Sequence, residues 1–308
     1  MVMKYEEDKA QKLLLAFKET RALTDIYTVE AQSLLNKATG FMNAYDFTLN
    51  PYRGCQYGCS YCYAAAFSPD SQKRQNWGNW VVIKTNAVSI VQKELARWHK
   101  KHNAPPRIYM SSVTDPYQPI EKQQQLTKQL LIAMLPYQPI LVIQTRSPMI
   151  VRDLDLLQQF EYLRINLSIP TGSEIVRKDF ESKSPSIKSR LQTINKLRYN
   201  LASNNEHKIR FGVTITPLLP TLLKDRDKFF SQLIGIDRIV LQKFHPTHKS
   251  SLIASTQNKA IALKQKYSWW YNNEPESYQQ FKQSLQERIT AWSSDTEILE
   301  GKIGFGYD

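Results

Sequence analysis

The 308-residue sequence has no cysteine outside one short stretch, and only three within it. Pairing any two as a disulfide would strand the third, and three clustered free thiols fit a reducing compartment, so a cytoplasmic protein is expected. No apolar run is long enough to span a bilayer, and no membrane partner is expected. The opening residues, Met1 to Glu19, mix charge with Leu13-Leu14-Leu15 and contain no uninterrupted apolar signal region. The ten glycines and fifteen prolines show no period. Acidic residues are scarce: 28 Asp and Glu stand against 41 Lys and Arg, a net charge of +13. That imbalance suggests a polyanionic partner such as nucleic acid, although no base-reading motif accompanies it. What remains is ordinary for a globular chain, with 42% hydrophobic and 22% charged residues. The length suits one large domain or two small ones.

The stretch that holds the cysteines runs Thr48-Leu-Asn-Pro-Tyr-Arg-Gly-Cys55-Gln-Tyr-Gly-Cys59-Ser-Tyr-Cys62-Tyr63. The spacing is C-x3-C-x2-C. Iron-sulfur clusters are usually held by four thiolates, so three leave one iron of a four-iron cluster free to bind something else. Gly54 and Gly58 let the backbone turn tightly around a bulky group. Arg53 is placed to offset the negative charge of thiolates and sulfides. Zinc is a weaker reading, because it needs a fourth protein ligand and the next histidine is His99. Positions 55, 59 and 62 also share one face of a helix, but the neighbouring glycines and proline favour a loop.

This pattern resembles the radical S-adenosylmethionine (SAM) superfamily. The longer run Asn50-Pro-Tyr-Arg-Gly-Cys with Tyr61-Cys-Tyr-Ala64 is similar to the branch that includes spore photoproduct lyase. The resemblance implies a [4Fe-4S] cluster on Cys55, Cys59 and Cys62. It implies SAM at the open iron, reductive cleavage to a 5′-deoxyadenosyl radical, and a flavodoxin- or ferredoxin-like electron donor. Tyr61 and Tyr63 match tyrosines that help return hydrogen to the radical in spore photoproduct lyase. That enzyme also needs a further cysteine, which this sequence lacks, so the spore photoproduct reaction itself is not expected.

Along the chain, residues 4–19 read as a helix and Ala44–Leu49 as a strand leading into the cysteine loop. Short apolar strands then alternate with amphipathic helices. The strands are Trp80–Lys84, Arg107–Ser111, Ile140–Thr145, Leu163–Ser168, Lys208–Thr214 and Arg238–Leu241. Such alternation implies parallel βαβ units. Periodicity alone does not separate a barrel from a doubly wound sheet. The resemblance favours an α/β fold built as a partial (β/α)6 TIM-like barrel over residues 44–242. Residues 1–43 and 243–308 are then helical extensions, the latter with Trp269, Trp270 and Trp292.

In parallel barrels, ligands sit at the C-terminal strand ends. Lys84-Thr-Asn86 follows the expected second strand, where many radical SAM enzymes carry a Gly-Gly-Glu that this chain lacks. The third strand leads into Ser111-Ser-Val-Thr-Asp115, which resembles the equivalent stretch of the spore photoproduct lyase branch. By that resemblance Ser112 or Thr114 binds SAM, with Asp115 orienting donors; a helix-capping turn is the other reading. Arg146 matches a basic residue that meets the SAM carboxylate, a task suited to a bidentate guanidinium. Ser168 is placed for the SAM ribose, and Thr216 lies where the backbone borders adenine. Basic residues gather in Arg97–Arg107 and Arg177–Arg210, the latter including Arg190 and Arg198. Either a phosphate-tracking groove or a solvated helix face would account for them. His99, His102, His245 and His248 lack metal spacing, and Gly301–Gly306 reads as a tail. The expected function is hydrogen abstraction from an unidentified substrate, with a nucleic-acid base as one candidate. A peptide substrate, or a non-enzymatic iron-sulfur or zinc protein that binds nucleic acid, is the alternative.

Overall fold

The computed structural model describes residues 24–201, 208–244, 258–293 and 295–307. The helix expected over 4–19 and the pair His245 and His248 lie outside the described residues. Among the described residues eleven strands form two sheets. They are β1 (Asp25–Val29), β2 (Leu35–Lys37), β3 (Phe47–Leu49), β4 (Tyr52–Arg53), β5 (Trp80–Lys84), β6 (Arg107–Met110), β7 (Ile140–Thr145), β8 (Tyr162–Ser168), β9 (Lys208–Ile215), β10 (Arg238–Leu241) and β11 (Glu297–Glu300).

The main sheet runs β11-β10-β9-β8-β7-β6-β3-β2. From β3 to β11 every neighbouring pair is parallel. Only β2 joins antiparallel, along β3. Strand order rises without reversal, so there is no switch point of the doubly wound kind. The sheet is that of a partial TIM-like barrel. Side chains alternate across it, as the two-residue period of a strand demands. Ile108, Met110, Leu141, Ile143, Ile239 and Leu241 face the outer helical layer. Tyr109, Val142 and Val240 face inward with Tyr45 and Phe305. Helix Ile187–Leu201 shows how the outer layer is held: Ile187, Leu191, Ile194, Leu197 and Leu201 repeat at three and four residues and are all buried.

Four expectations are corrected. Trp80–Lys84 is a strand, but not the second strand of the barrel. It pairs with β1 and β4 in a separate three-stranded sheet, and β3 lies directly beside β6. Lys84 therefore does not stand at a barrel strand end; its ammonium donates to the Asn50 carbonyl at 2.7 Å. Residues 25–37, expected as part of a helical extension, form β1 and β2. The C-terminal extension is helical over Asn258–Lys266, Ser268–Tyr271 and Glu274–Thr290, yet it also supplies β11. The stretch read as a tail packs instead: Gly301–Gly304 forms one helical turn, and the Gly306 carbonyl accepts from Arg164 and Arg238 at 2.8 and 2.9 Å.

Candidate active site

The cysteine loop leaves the C-terminal end of β3. Gly54 and Gly58 have φ of +82° and +55°, values that an L side chain rarely adopts. A Cβ on Gly54 would lie 2.7 Å from the Trp80 ring and from its carbonyl oxygen. The loop winds through backbone bonds from Gly58 N to Cys55 O at 3.2 Å and from Cys62 N to Cys59 O at 3.1 Å.

A second loop, residues 111–121, is strapped to it. The Thr114 hydroxyl donates to Gly54 O at 2.6 Å, and Tyr57 OH donates to Tyr117 O at 3.1 Å. Gln56 N donates to the Gln118 carboxamide at 2.8 Å, while its own carboxamide oxygen accepts from Ile120 N at 2.6 Å. A third segment, just beyond helix Glu174–Phe180, clasps the loop from the other side. Ser60 N donates to Phe180 O at 2.9 Å, and Lys183 Nζ reaches Gly78 O at 2.8 Å.

All the residues expected to hold the cluster, contact SAM or pass hydrogen line one cavity of about 860 Å³: Cys55, Cys59, Tyr61, Cys62, Tyr63, Ser112, Thr114, Asp115, Arg146, Ser168 and Thr216. Their side chains are not equally free. Thr114 is committed to Gly54, and the Ser112 hydroxyl accepts from Asn50 at 3.3 Å. Asp115 is buried; it accepts from the Thr145 hydroxyl at 2.6 Å and from Arg146 N at 2.9 Å. Burial pushes its carboxyl up, and these donors pull the other way. Tyr63 OH donates to Ser112 O while its ring, 45% exposed, stands beside Phe67 at the cavity mouth. Ser168 Oγ lies 3.5 Å from Arg146 Nη2.

The residue that sequence reasoning missed is Glu181. Its side chain is fully buried and takes Arg190 at 2.5 Å, together with Arg146 and the Tyr61 hydroxyl. Although burial alone would raise it, Arg190 and Arg146 hold its carboxyl below the ordinary range. Arg146 Nη1 also lies 2.9 Å from both Cys59 Sγ and Tyr61 OH. No periodicity marks Glu181; a lone acid after an amphipathic helix reads as surface. The same network corrects the basic stretch Arg177–Arg210. Arg190 is fully buried, donating to Ser168 O at 2.9 Å, and Arg177 is buried against Glu174 and the carbonyls of Glu181 and Ser184. Neither is available to phosphate.

The donor set suits a cluster. Burial pushes all three thiols up, Cys62 to about 12, so bare thiolates would be costly here and metal ions would hold them. Among the described residues no three Cys, His, Asp or Glu side chains gather as the ligands of a single metal ion. All three thiols line the cavity, and three thiolates leave one iron of a four-iron cluster open.

Comparison with known proteins agrees with this geometry. Residues 49–233, more than half of the chain, match the family model of the radical SAM superfamily, and the chain belongs to that superfamily. Its cofactors are a [4Fe-4S] cluster and SAM. The uncharacterized protein MJ0683 of Methanocaldococcus jannaschii is 34% identical over 177 residues, which is 58% of this chain and 62% of that protein. The uncharacterized protein Mb2609c of Mycobacterium bovis is 28% identical over 217 residues, 68% of this chain and 60% of that one. The matches thus span about three fifths of these relatives. A solved structure of a spore photoproduct lyase mutant shares the fold with a TM-score of 0.59 at 15% identity, over 89% of this chain and 81% of that one. Among the described residues no helix is long and apolar enough to cross a membrane.

Proposed function

We propose that this protein is a radical SAM enzyme that removes hydrogen from a nucleic-acid base seated in the cavity. One observation carries the reading: the three thiols, the expected SAM-contacting residues and a set of exposed aromatics line the same cavity. Bound there, the cluster and SAM would supply the radical. The chain's own residues hold, orient and shield. Cys55, Cys59 and Cys62 hold the cluster. Arg146 is fixed through Nη1 and keeps its Nη2 edge for a carboxylate. Tyr61 OH donates to Glu181 and Tyr63 OH to Ser112 O, so both phenols are held, and only the Tyr63 ring stands on the open side.

The substrate class follows from the lining. Phe41, Tyr63 and Phe67 are exposed at 45%, 45% and 49%, and each offers a face on which a base can stack. Lys37 and Lys243 line the cavity as well, while Arg146 and Asp115 there are balanced within the Glu181 network, so the lining keeps a positive balance suited to phosphate. A spore photoproduct lyase of the same fold has been solved with a dinucleoside spore photoproduct. The missing fourth cysteine argues against that particular repair reaction here. Anaerobic reconstitution should give a brown protein holding about four irons, which Cys59→Ala largely abolishes. Reduction in the presence of SAM should yield 5′-deoxyadenosine. Stoichiometric zinc with no iron uptake would refute the reading.

A further inference from the structure

Two arginines on different elements reach the same short turn beside the cavity mouth. Arg53 ends β4, and Arg74 lies on the helical turn Ser71–Gln75; both are exposed. Arg53 Nη2 donates to Phe67 O at 3.3 Å, and Arg74 Nη2 donates to Ala66 O at 3.4 Å. These are consecutive carbonyls at the end of the turn Tyr63–Phe67, whose two exposed rings line the cavity. The backbone beneath each arginine is fixed. Arg53 pairs with Val82 of β5, while the Asp70 carboxylate accepts from Lys73 N at 2.7 Å and the Trp80 indole donates to Lys73 O at 2.7 Å. Among the described residues neither guanidinium forms an ion pair, and Asp70 answers Lys73 at 3.8 Å. A basic side chain at the end of a helical turn is an ordinary cap for its last carbonyls. One such group meets that need. Two of them, anchored on neighbouring carbonyls with no carboxylate of their own, repel each other, and an anion set between them relieves the repulsion.

We infer that Arg53 and Arg74 form a phosphate-binding site that grips the backbone of a single-stranded nucleic acid while one of its bases enters the cavity. The assignment rests on the nucleic-acid reading of the cavity and adds to it the place where the strand is held. Neither arginine lines the cavity, so the pair serves the part of the ligand that stays outside. A base and its phosphates are joined through one sugar, so a stacking face and a phosphate site must lie side by side. Phe67 meets that demand, offering its ring to the cavity and its carbonyl to Arg53. Each guanidinium spends one N–H on a carbonyl and keeps the rest of its fork, whose planar geometry matches two phosphate oxygens. Because the carbonyls already hold both side chains, less rotamer freedom is lost on binding than for free surface arginines.

The test uses anaerobically reconstituted protein and a fluorescent single-stranded oligonucleotide of about a dozen nucleotides, within the usual site size, made as DNA and as RNA. Anisotropy titrations over a salt series give the log-log slope of affinity against salt. Arg53→Gln and Arg74→Gln should each flatten that slope by about 0.7 on the better-bound strand, and the pair by about 1.4. Glutamine can still donate to the carbonyls, so the turn stays capped, and each single variant carries the reading by itself. Lys188→Gln with Lys196→Gln removes the same charge from the exposed face of helix Ile187–Leu201 and should leave the slope unchanged. A wild-type slope in the Arg53 and Arg74 variants would overturn the site while leaving the nucleic-acid reading intact. Equal flattening by the Lys188 and Lys196 pair would show a diffuse attraction and overturn it as well. A poly-glutamate peptide that binds as tightly as the oligonucleotide, with the same loss in the arginine pair, would mark a surface for acidic peptides and overturn it too. Wild-type protein that binds neither strand at about 50 mM salt, where phosphate contacts are strong, would sink both readings.

Discussion

Glu181→Ala removes a carboxylate that two buried guanidiniums share. The Glu181 and Arg190 side chains are fully buried, and that of Arg146 is 15% exposed. Breaking a buried ion pair by deleting one partner costs about 3–5 kcal/mol, because the other charge is left uncompensated away from water. Here two cations lose their partner, and the Tyr61 hydroxyl loses its acceptor. The upper part of that range is expected, about 4–5 kcal/mol, and Glu181→Gln should cost less, since it removes charge but keeps an acceptor. The assay is equilibrium urea unfolding of reduced apoprotein at pH 7. The sign with pH follows from the lowered carboxyl. Burial opposes ionisation, but Arg190 and Arg146 outweigh it, so the folded state holds the charged form more tightly than the unfolded chain does. This stabilisation is fully present above the unfolded value of about 4.3 and is lost as pH falls through the lower folded value. The gap between wild type and Glu181→Gln should therefore close on acidification. A loss below about 1 kcal/mol in Glu181→Ala at pH 7 would refute the reasoning, since it would mean that water reaches both arginines.

Lys84 should show a slope of the same sign in an alkaline window. Burial, helped by Arg53, lowers its ammonium to about 8. The unfolded chain keeps that proton to about 10.4, so wild-type stability relative to Lys84→Met should rise by up to about 3 kcal/mol between these two values; a flat difference curve would count against it. Gly54→Ala places a Cβ 2.7 Å from the Trp80 carbonyl at a φ of +82°, so a loss of about 1–3 kcal/mol and poor cluster uptake are expected. Wild-type stability and iron content in that variant would show that the loop adapts. Oligonucleotide binding should weaken with salt at a log-log slope of about −0.7 to −0.9 per phosphate contact, and Lys37→Glu with Lys243→Glu should flatten it. Undetectable binding at about 50 mM salt would redirect the search to peptides.

The parallel α/β architecture and the cysteine loop were legible because both rest on local signals, and the resemblance carried by that loop chose the barrel. Apolar strands recur between amphipathic helices, and three cysteines stand at one spacing. Residues at successive strand ends, from Ser112 to Thr216, were placed at one cavity by the logic of parallel sheets together with the family resemblance. What stayed hidden depends on pairing between distant segments. The β5 strand has the composition of a barrel strand, and only its partners β1 and β4 show that it is not one. The β11 strand, Glu297-Ile-Leu-Glu300, carries a charge at each end; Glu297 pairs with Arg238 and Glu300 with Lys282. Its acids thus read as surface although the backbone completes the sheet. Glu181 was invisible for the same reason, its partners being 35 residues upstream and 9 downstream.

The placement of the arginines also changes what the net charge means. Summed over the sequence, Arg177–Arg210 looks like a cationic stripe. In the fold, Arg177 answers Glu174, while Arg146 and Arg190 together answer Glu181 and Asp115. These internal groups sum to zero, with three guanidiniums set against three carboxylates. Removing them from the account leaves the whole surplus of +13 to the other residues. The helix Ile187–Leu201 then contributes only Lys188 and Lys196 as exposed cations and Arg198 as a half-buried one. By contrast, Lys37, exposed on the β2 edge, lines the cavity, and Arg53, exposed at the end of β4, donates to the carbonyl of Phe67 at 3.3 Å. A polyanion drawn by the surplus would thus meet rings and cations together at the mouth, where stacking adds to a charge attraction that alone carries no specificity.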